Sequence, residues 1–321
     1  MIILTGGAGF IGSCILAKLN SLGRKDIVVV DHLGDASKKE NIRNKKFSQY
    51  LDKAEFLKAV VEDKINYPVD CVLHMGACSS TILTDAEYYR LNNLEYTKSL
   101  AEWALRHGSR FIYASSAATY GDGRQGYKDD EATIRKCQPL NLYGESKQKF
   151  DEWVLDHSLL DQVAGLKFFN VFGPNEYHKG EMRSVIAKAY ARVTQEGRMN
   201  LFKSYKQEYG DGEQKRDFIY VKDAVDVVMF FFEQPQINGI FNVGTGEART
   251  WNDLARALFQ AAGQPARIDY VDMPESIRPQ YQYFTEADMS KLRSAGYGKP
   301  FMKLEDSIAD YARYLKSHLY I

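Results

Sequence analysis

The chain has 321 residues and carries 42 Lys plus Arg against 42 Asp plus Glu, a formal charge of zero, so no nucleic-acid or membrane partner held by bulk charge is expected. With 45% hydrophobic and 26% charged residues, its composition is that of a soluble globular protein of about two domains, or of one large domain with a lobe. No apolar run approaches the roughly 20 residues of a membrane span; the most apolar stretch, Val227 to Phe232, is stopped by Glu233 and Pro235 and reads as core.

In chain order, Ile2 to Thr5 is a short apolar strand. It runs into the glycine turn Gly6 to Gly12 and then a helical pattern with Ile15, Leu16, Leu19 and Leu22 on one side. The start has no basic segment or cleavage site of a secretory leader, so a cytoplasmic protein is expected. Ile27 to Val30, Cys71 to Leu73, Phe111 to Ala114 and Val163 to Phe169 read as further buried strands, with helices at Asn92 to Arg106 and Gly144 to His157. Strands alternating with crossover helices predict an α/β Rossmann fold, a doubly wound parallel sheet. After Asn170 the pattern weakens, with one helix at Ser184 to Thr194 and polar, aromatic stretches such as Ser204 to Gly212. It returns at Asp217 to Phe232 and Ile240 to Val243, and helices follow near Trp251 to Ala261 and Leu304 to Leu315. The expected division is a nucleotide-binding domain of residues 1–170 plus 216–245 and a smaller, interleaved lobe of 171–215 plus 246–321. The scattered Cys14, Cys71, Cys78 and Cys137 read as reduced thiols. Cys71, His74 and Cys78 raise a metal question, but the odd spacing of Cys71 and His74 on a strand points those two to opposite faces, so no metal is expected.

Gly6, Gly9 and Gly12 lie between a strand and a helix, where backbone N–H groups and the helix N-terminus can face a pyrophosphate. Asp31 follows Gly12 by 19 residues at the end of the second strand, placed to bond a ribose hydroxyl. Its carboxylate favours NAD over NADP; Lys38, Lys39 and Lys53 are either compensating charge for a 2′-phosphate or a solvated basic face. Tyr143 and Lys147 are four residues apart on a predicted helix, hence stacked on one face. Lowering a phenol from its usual value near 10 to about 7 takes roughly 4 kcal/mol. An ammonium at about 4 Å supplies roughly that at an effective dielectric of about 20. On this reasoning Lys147 makes Tyr143 a general base. Ser116, in the run Tyr113 to Gly121 at a strand end, is placed to bond the reacting alcohol.

Together these features resemble the extended short-chain dehydrogenase/reductase family, the sugar-nucleotide epimerases and dehydratases, over essentially the whole chain. Met75-Gly76-Ala77-Cys78-Ser79-Ser80-Thr81, Phe169 to Pro174, His178-Lys179-Gly180, Lys215 to Phe218 and Tyr281 to Thr285 are similar to the branch that handles ADP-linked heptoses. The resemblance implies an NADP-dependent isomerase, NAD being the alternative cofactor, with an ADP-linked heptose as substrate and a homo-oligomeric state. It adds Phe10, Ile11, His32, Met75, Gly76, Ala77, Cys78, Ser79, Asn92, Val171 and Lys179 to the cofactor residues named above. It assigns Ser116, Asn170, Glu181, Lys188, Phe202, Lys203, Ser204, Tyr205, Arg216 and Tyr281 to the substrate.

A secondary alcohol centre has no acidic C–H until it is a ketone, so inversion must begin with oxidation. The implied reaction removes hydride from C6 of the heptose, lets the 6-keto group turn its other face, and returns the hydride, making a precursor of the lipopolysaccharide inner core. Two epimers present their hydroxyls in opposite directions, and the resemblance names Lys179 as the second base; from the sequence alone it reads as a loop lysine contacting phosphate or solvent. A dehydratase needs an Asp-Glu pair just after Ser116, where this chain has Ala117-Ala118. A uridine-linked hexose 4-epimerase and a non-catalytic NADP-binding sensor are the alternatives that share the glycine turn.

Overall fold

The structure is a computed structural model that describes residues 1–34, 36–278 and 281–321. Its strands are β1 (Ile2–Thr5), β2 (Ile27–Asp31), β3 (Gln49–Asp52), β4 (Cys71–His74), β5 (Arg110–Ser116), β6 (Val163–Phe168), β7 (Asn170–Phe172), β8 (Met199–Phe202), β9 (Lys215–Tyr220), β10 (Gly239–Val243), β11 (Ala248–Thr250) and β12 (Ile268–Val271). Seven of them form one parallel sheet in the order β10-β6-β5-β4-β1-β2-β3. The order reverses between β1 and β4, and a crevice opens beyond the carboxyl ends of strands at such a switch point.

Alternation across the pleat explains why these strands read as unbroken apolar runs. Ile2 and Leu4, Ile27 and Val29, and Cys71 and Leu73 pack into the core on one face of the sheet. Ile3, Val28, Val30 and Val72 pack into the core on the other, so both faces are dry. Cys71 and His74 do fall on opposite faces: His74 stacks between Tyr96 and Phe111. All four cysteines are free thiols.

The helix Phe10–Ser21 buries Ile15, Leu16 and Leu19, but Leu22, expected on the same face, is 51% exposed because the helix has already ended. The expected helix from Asn92 is two pieces, a π-helical stretch Arg90–Glu95 and an α-helix Tyr96–Arg106. Val163 to Phe169 is likewise broken at Phe169 between β6 and β7. The remaining strands form two small sheets, β11-β9-β7 and a parallel β12-β8 pair. The helix Val185–Glu196 is capped by Ser184, and Trp251–Ala261 by a capping box of Thr250 and Asp253. Among the described residues no helix is long and apolar enough to cross a membrane.

Candidate active site

The turn after β1 is built for close approach of backbone to backbone. Gly6 has φ +66°, and a Cβ there would lie 2.7 Å from Gly76; a Cβ on Gly12 would lie 2.1 Å from the Gly6 carbonyl. Gly9 begins the Phe10–Ser21 helix with no side-chain cap, leaving first-turn N–H groups directed at the crevice. Thr5 Oγ1 ties β1 to β4 by a 2.6 Å bond with His74 Nδ1 and a 3.2 Å bond from Gly76 N–H. Burial and the nearby Lys147 lower the His74 pKa to about 3, so the imidazole is neutral.

Two adjoining cavities follow from this turn. A cleft of about 650 Å³ is lined by Gly6, Gly9, Phe10, Ile11, Gly12, Met75, Ser79, Ser116, Tyr143, Lys147, Val171 and Lys179. A smaller cavity of about 210 Å³ adds Lys53, Cys78 and Asn92, and Asp31, His32, Lys38, Gly76 and Ala77 line both. Apart from Lys39, every residue expected to hold a dinucleotide therefore lines one or both of these adjoining cavities. At its closed end the Asp31 carboxylate already accepts from Ala8 N–H (2.9 Å) and His32 N–H (2.6 Å) and is paired with Lys38. Lys53 reaches the same cavity and donates to Asn92 Oδ1 at 2.6 Å. One carboxylate thus faces two ammonium groups, a surplus of positive charge.

At the open end, Asn141 caps the helix Leu142–Asp156, accepting from Gly144 N–H at 2.8 Å. Gly144 is required, since a Cβ there would lie 2.8 Å from Ala118 O. Tyr143 and Lys147 project one turn apart from this helix against the end of β5. Tyr143 and Ser116 line the same cleft, and Lys147 Nζ donates to Ala114 O at 2.7 Å. The expected depression of the phenol by the lysine is reversed here: dense packing around the hydroxyl raises the Tyr143 pKa, and the nearby Ser116 opposes the rise. The lysine responds more strongly, burial bringing it down to about 8.

Asn93 went unnoticed in the sequence. Fully buried in the π-helical stretch, it accepts from Cys78 N–H (2.8 Å), donates to Cys78 O (3.0 Å) and donates to Ser146 Oγ (3.0 Å), locking the loop after β4 to the helix of Tyr143. The π-helical stretch that carries it leaves no clear residue pattern, so no signal in the sequence singles it out.

Lys179 enters the cleft from the loop after β7, its Nζ 5.5 Å from the centre of the Phe10 ring; burial lowers its pKa. The buried Glu176 holds that loop by accepting from Ser184 N–H (2.5 Å), Ser184 Oγ (2.6 Å) and Tyr311 OH (2.9 Å). His178, also in the cleft but given no role of its own from the sequence, is pushed down to about 4, first by burial.

The expected substrate residues fall into two groups and a remainder. Ser116 is in the cleft. Phe202, Tyr205, Arg216 and Tyr281 cluster around β8 and β9: the Phe202 and Tyr281 rings are 6.3 Å apart, Arg216 lies 5.1 Å over Tyr281, and Tyr205 N–H donates to Tyr283 OH at 3.1 Å. Lys203 and Ser204 continue the same strand end, where Ser204 N–H donates to Asp211 at 2.7 Å. Gln282 ties this cluster to the turn after β5 by donating to Gly121 O at 2.5 Å. Asn170, Glu181 and Lys188 are exposed and border neither, and Lys188 Nζ donates to Glu181 O at 3.1 Å.

A family model described as the NAD dependent epimerase/dehydratase family matches residues 2–244. Among curated proteins, the ADP-L-glycero-D-manno-heptose-6-epimerase of Nitratidesulfovibrio vulgaris strain DP4 is 53% identical over 98% of this chain and 97% of its own. That of Fusobacterium nucleatum is 45% identical, again over 98% and 97%. Among solved structures, the ADP-L-glycero-D-manno-heptose-6-epimerase of Helicobacter pylori superposes with a TM-score of 0.83 at 27% identity, over 98% of this chain and 96% of that one.

Proposed function

The chain belongs to the NAD dependent epimerase/dehydratase family, and we infer that it interconverts ADP-D-glycero-D-manno-heptose and ADP-L-glycero-D-manno-heptose through a transient 6-keto sugar, supplying the lipopolysaccharide inner core. The observation that carries this reading is the meeting of Ser116, Tyr143 and Lys147 in the same cleft as the glycine turn. The cleft suits a nicotinamide dinucleotide because its floor is glycine where any Cβ would collide with backbone, and because uncapped N–H groups face it. Such a cofactor, when bound, accepts and returns a hydride and brings a positive charge. Gly6, Gly9, Phe10, Ile11 and Gly12 would hold its pyrophosphate, and Met75 to Ser79, Asn92 and Val171 its flanks. We assign NADP over NAD because Asp31 is neutralised by Lys38 and Lys53 adds a further cation, a charge balance that suits a 2′-phosphate.

In this reading Tyr143 takes the C6 hydroxyl proton and gives it back. Lys147, at about 8, still carries its charge at neutral pH one turn from the phenol, and Ser116 opposes the rise that burial imposes on Tyr143. Lys179 serves the opposite face, its proton made easier to release by burial. The Phe202, Lys203, Ser204, Tyr205, Arg216 and Tyr281 cluster would receive the ADP portion, with Arg216 suited to a pyrophosphate. Residues 1–170 plus 216–245 would form the cofactor domain and 171–215 plus 246–321 the sugar-nucleotide lobe, although β9 pairs within the small sheet. A cytoplasmic homo-oligomer completes the proposal.

The test is to incubate the purified protein with each ADP-heptose epimer and follow the other by NMR. Conversion in both directions is expected, with Tyr143→Phe at least about 10²-fold slower while still binding NADP. Conversion of neither epimer alongside turnover of a uridine-linked hexose refutes the heptose assignment, and no turnover of any sugar favours a sensor.

A further inference from the structure

Three neighbouring residues of β5 meet three residues of the Leu142–Asp156 helix spaced one turn apart. Ser116 shares the cleft with Tyr143, Ala114 O accepts Lys147 Nζ at 2.7 Å, and Ser115 Oγ donates to Asp151 at 2.6 Å. Asp151 also accepts from Tyr113 OH at 2.9 Å. The adjacent strand closes the arrangement: Lys167, in register with Ser115, donates to Asp151 at 2.5 Å and to Thr119 Oγ1 at 2.8 Å. Both side chains of this ion pair are at 0% exposure. A fully buried ion pair adds little net stability compared with apolar residues of the same size. Its place in line with Tyr143 and Lys147 offers another reason for it.

We propose that Asp151 and Lys167 are positioning residues of the acid–base site: Asp151 draws positive charge onto Lys147, and Lys167 offsets that carboxylate so that Lys147 and Tyr143 exchange protons near neutral pH. The proposal deepens the reading of Tyr143 as base and rests on it. Asp151 is one turn, about 5.4 Å of rise, from Lys147. A unit charge at that range in a partly dry interior moves a proton-binding midpoint by about one to two pH units. Its influence on the two neighbours is to raise both Lys147 and Tyr143, against the burial that lowers the lysine. Of the other titratable groups facing this site, His74, at the end of β4, is neutral, and Tyr113 is held far above its usual range by burial and Asp151. Cys78 faces Tyr143 from the loop after β4, and Lys179 lines the same cleft.

The experiment follows Lys147 itself, without turnover. Protein labelled with carbon-13 at the lysine Cε is titrated by NMR, and the Lys147 signal is identified by its loss in Lys147→Met. The parent midpoint is expected at about 8. Lys167→Met is expected to raise it by about one unit or more, Asp151→Asn to lower it by a similar amount, and Lys167→Arg to leave it near the parent. Asp151→Asn combined with Lys167→Met should return it toward the parent, and pH profiles of turnover should move in the same order. If Lys167→Met does not fold, Lys167→Gln removes the charge while still bonding Asp151 and should give the same upward displacement. Midpoints that stay at the parent value in folded variants, or that move in the same direction for both partners, overturn the proposal. The role of Tyr143 is judged separately, by the turnover of Tyr143→Phe.

Discussion

Lys147→Met exchanges a buried ammonium for an apolar side chain of similar length, and its effects on stability and on turnover should have opposite signs. Burial brings the folded-state pKa of Lys147 from 10.5 to about 8. At 1.36 kcal/mol per pH unit, this amounts to roughly 3 kcal/mol against folding wherever both states are protonated, below about pH 8. Removing the bond to Ala114 O returns about 1–2 kcal/mol of that. The variant should therefore be more stable at pH 7 by about 1–2 kcal/mol, while turnover falls by about 10²-fold or more. Between about pH 8 and 10.5 the unfolded parent holds a proton that the folded parent has shed, so parental stability climbs with pH across that window. The variant lacks this climb, and its advantage should vanish before pH 10.5. Urea unfolding of both proteins from pH 7 to 10 measures the difference. A variant less stable at pH 7, or a difference that does not change across the window, refutes the reasoning.

Gly12→Ala places a methyl group 2.1 Å from Gly6 O, so the turn must shift; dinucleotide affinity should fall at least about tenfold, measured by calorimetry with NADP. Lys53→Ala should weaken NADP binding much more than NAD binding, because it removes one of two cations facing Asp31; equal losses would deny that Lys53 grips a phosphate. Lys179→Met should slow one direction of epimerisation more than the other in initial-rate assays from each epimer, whereas equal slowing would make Lys179 a binding residue.

The large sheet was legible because its strands are buried on both faces, and such strands read as continuous apolar runs such as Ile27 to Val30. β3 was not, because Gln49-Tyr50-Leu51-Asp52 is an edge strand with only partly covered side chains. The three-residue strands β7 and β11 were missed because they are fixed by pairing with β9 and too short to show a period. Within the site, spacing revealed that Tyr143 and Lys147 share a helix face. It could not reveal which acceptor Lys147 Nζ takes, and the choice of Ala114 O is what leaves burial to decide the phenol. Asp151 continues the same four-residue spacing, but its partner Lys167 lies on a strand where only register brings the two together. Asn170, Glu181 and Lys188 were assigned through family likeness, and nothing in their local sequence says that they face solvent.

Epimerisation by this route is oxidation and reduction at a single carbon, with the same hydrogen leaving and returning. ADP-D-glycero-D-manno-heptose carrying deuterium at C6 should be converted in ordinary water to the L-glycero epimer with the deuterium still at C6, as mass spectrometry and NMR of the product would register. Product formed with C6 hydrogen drawn from the solvent would contradict it.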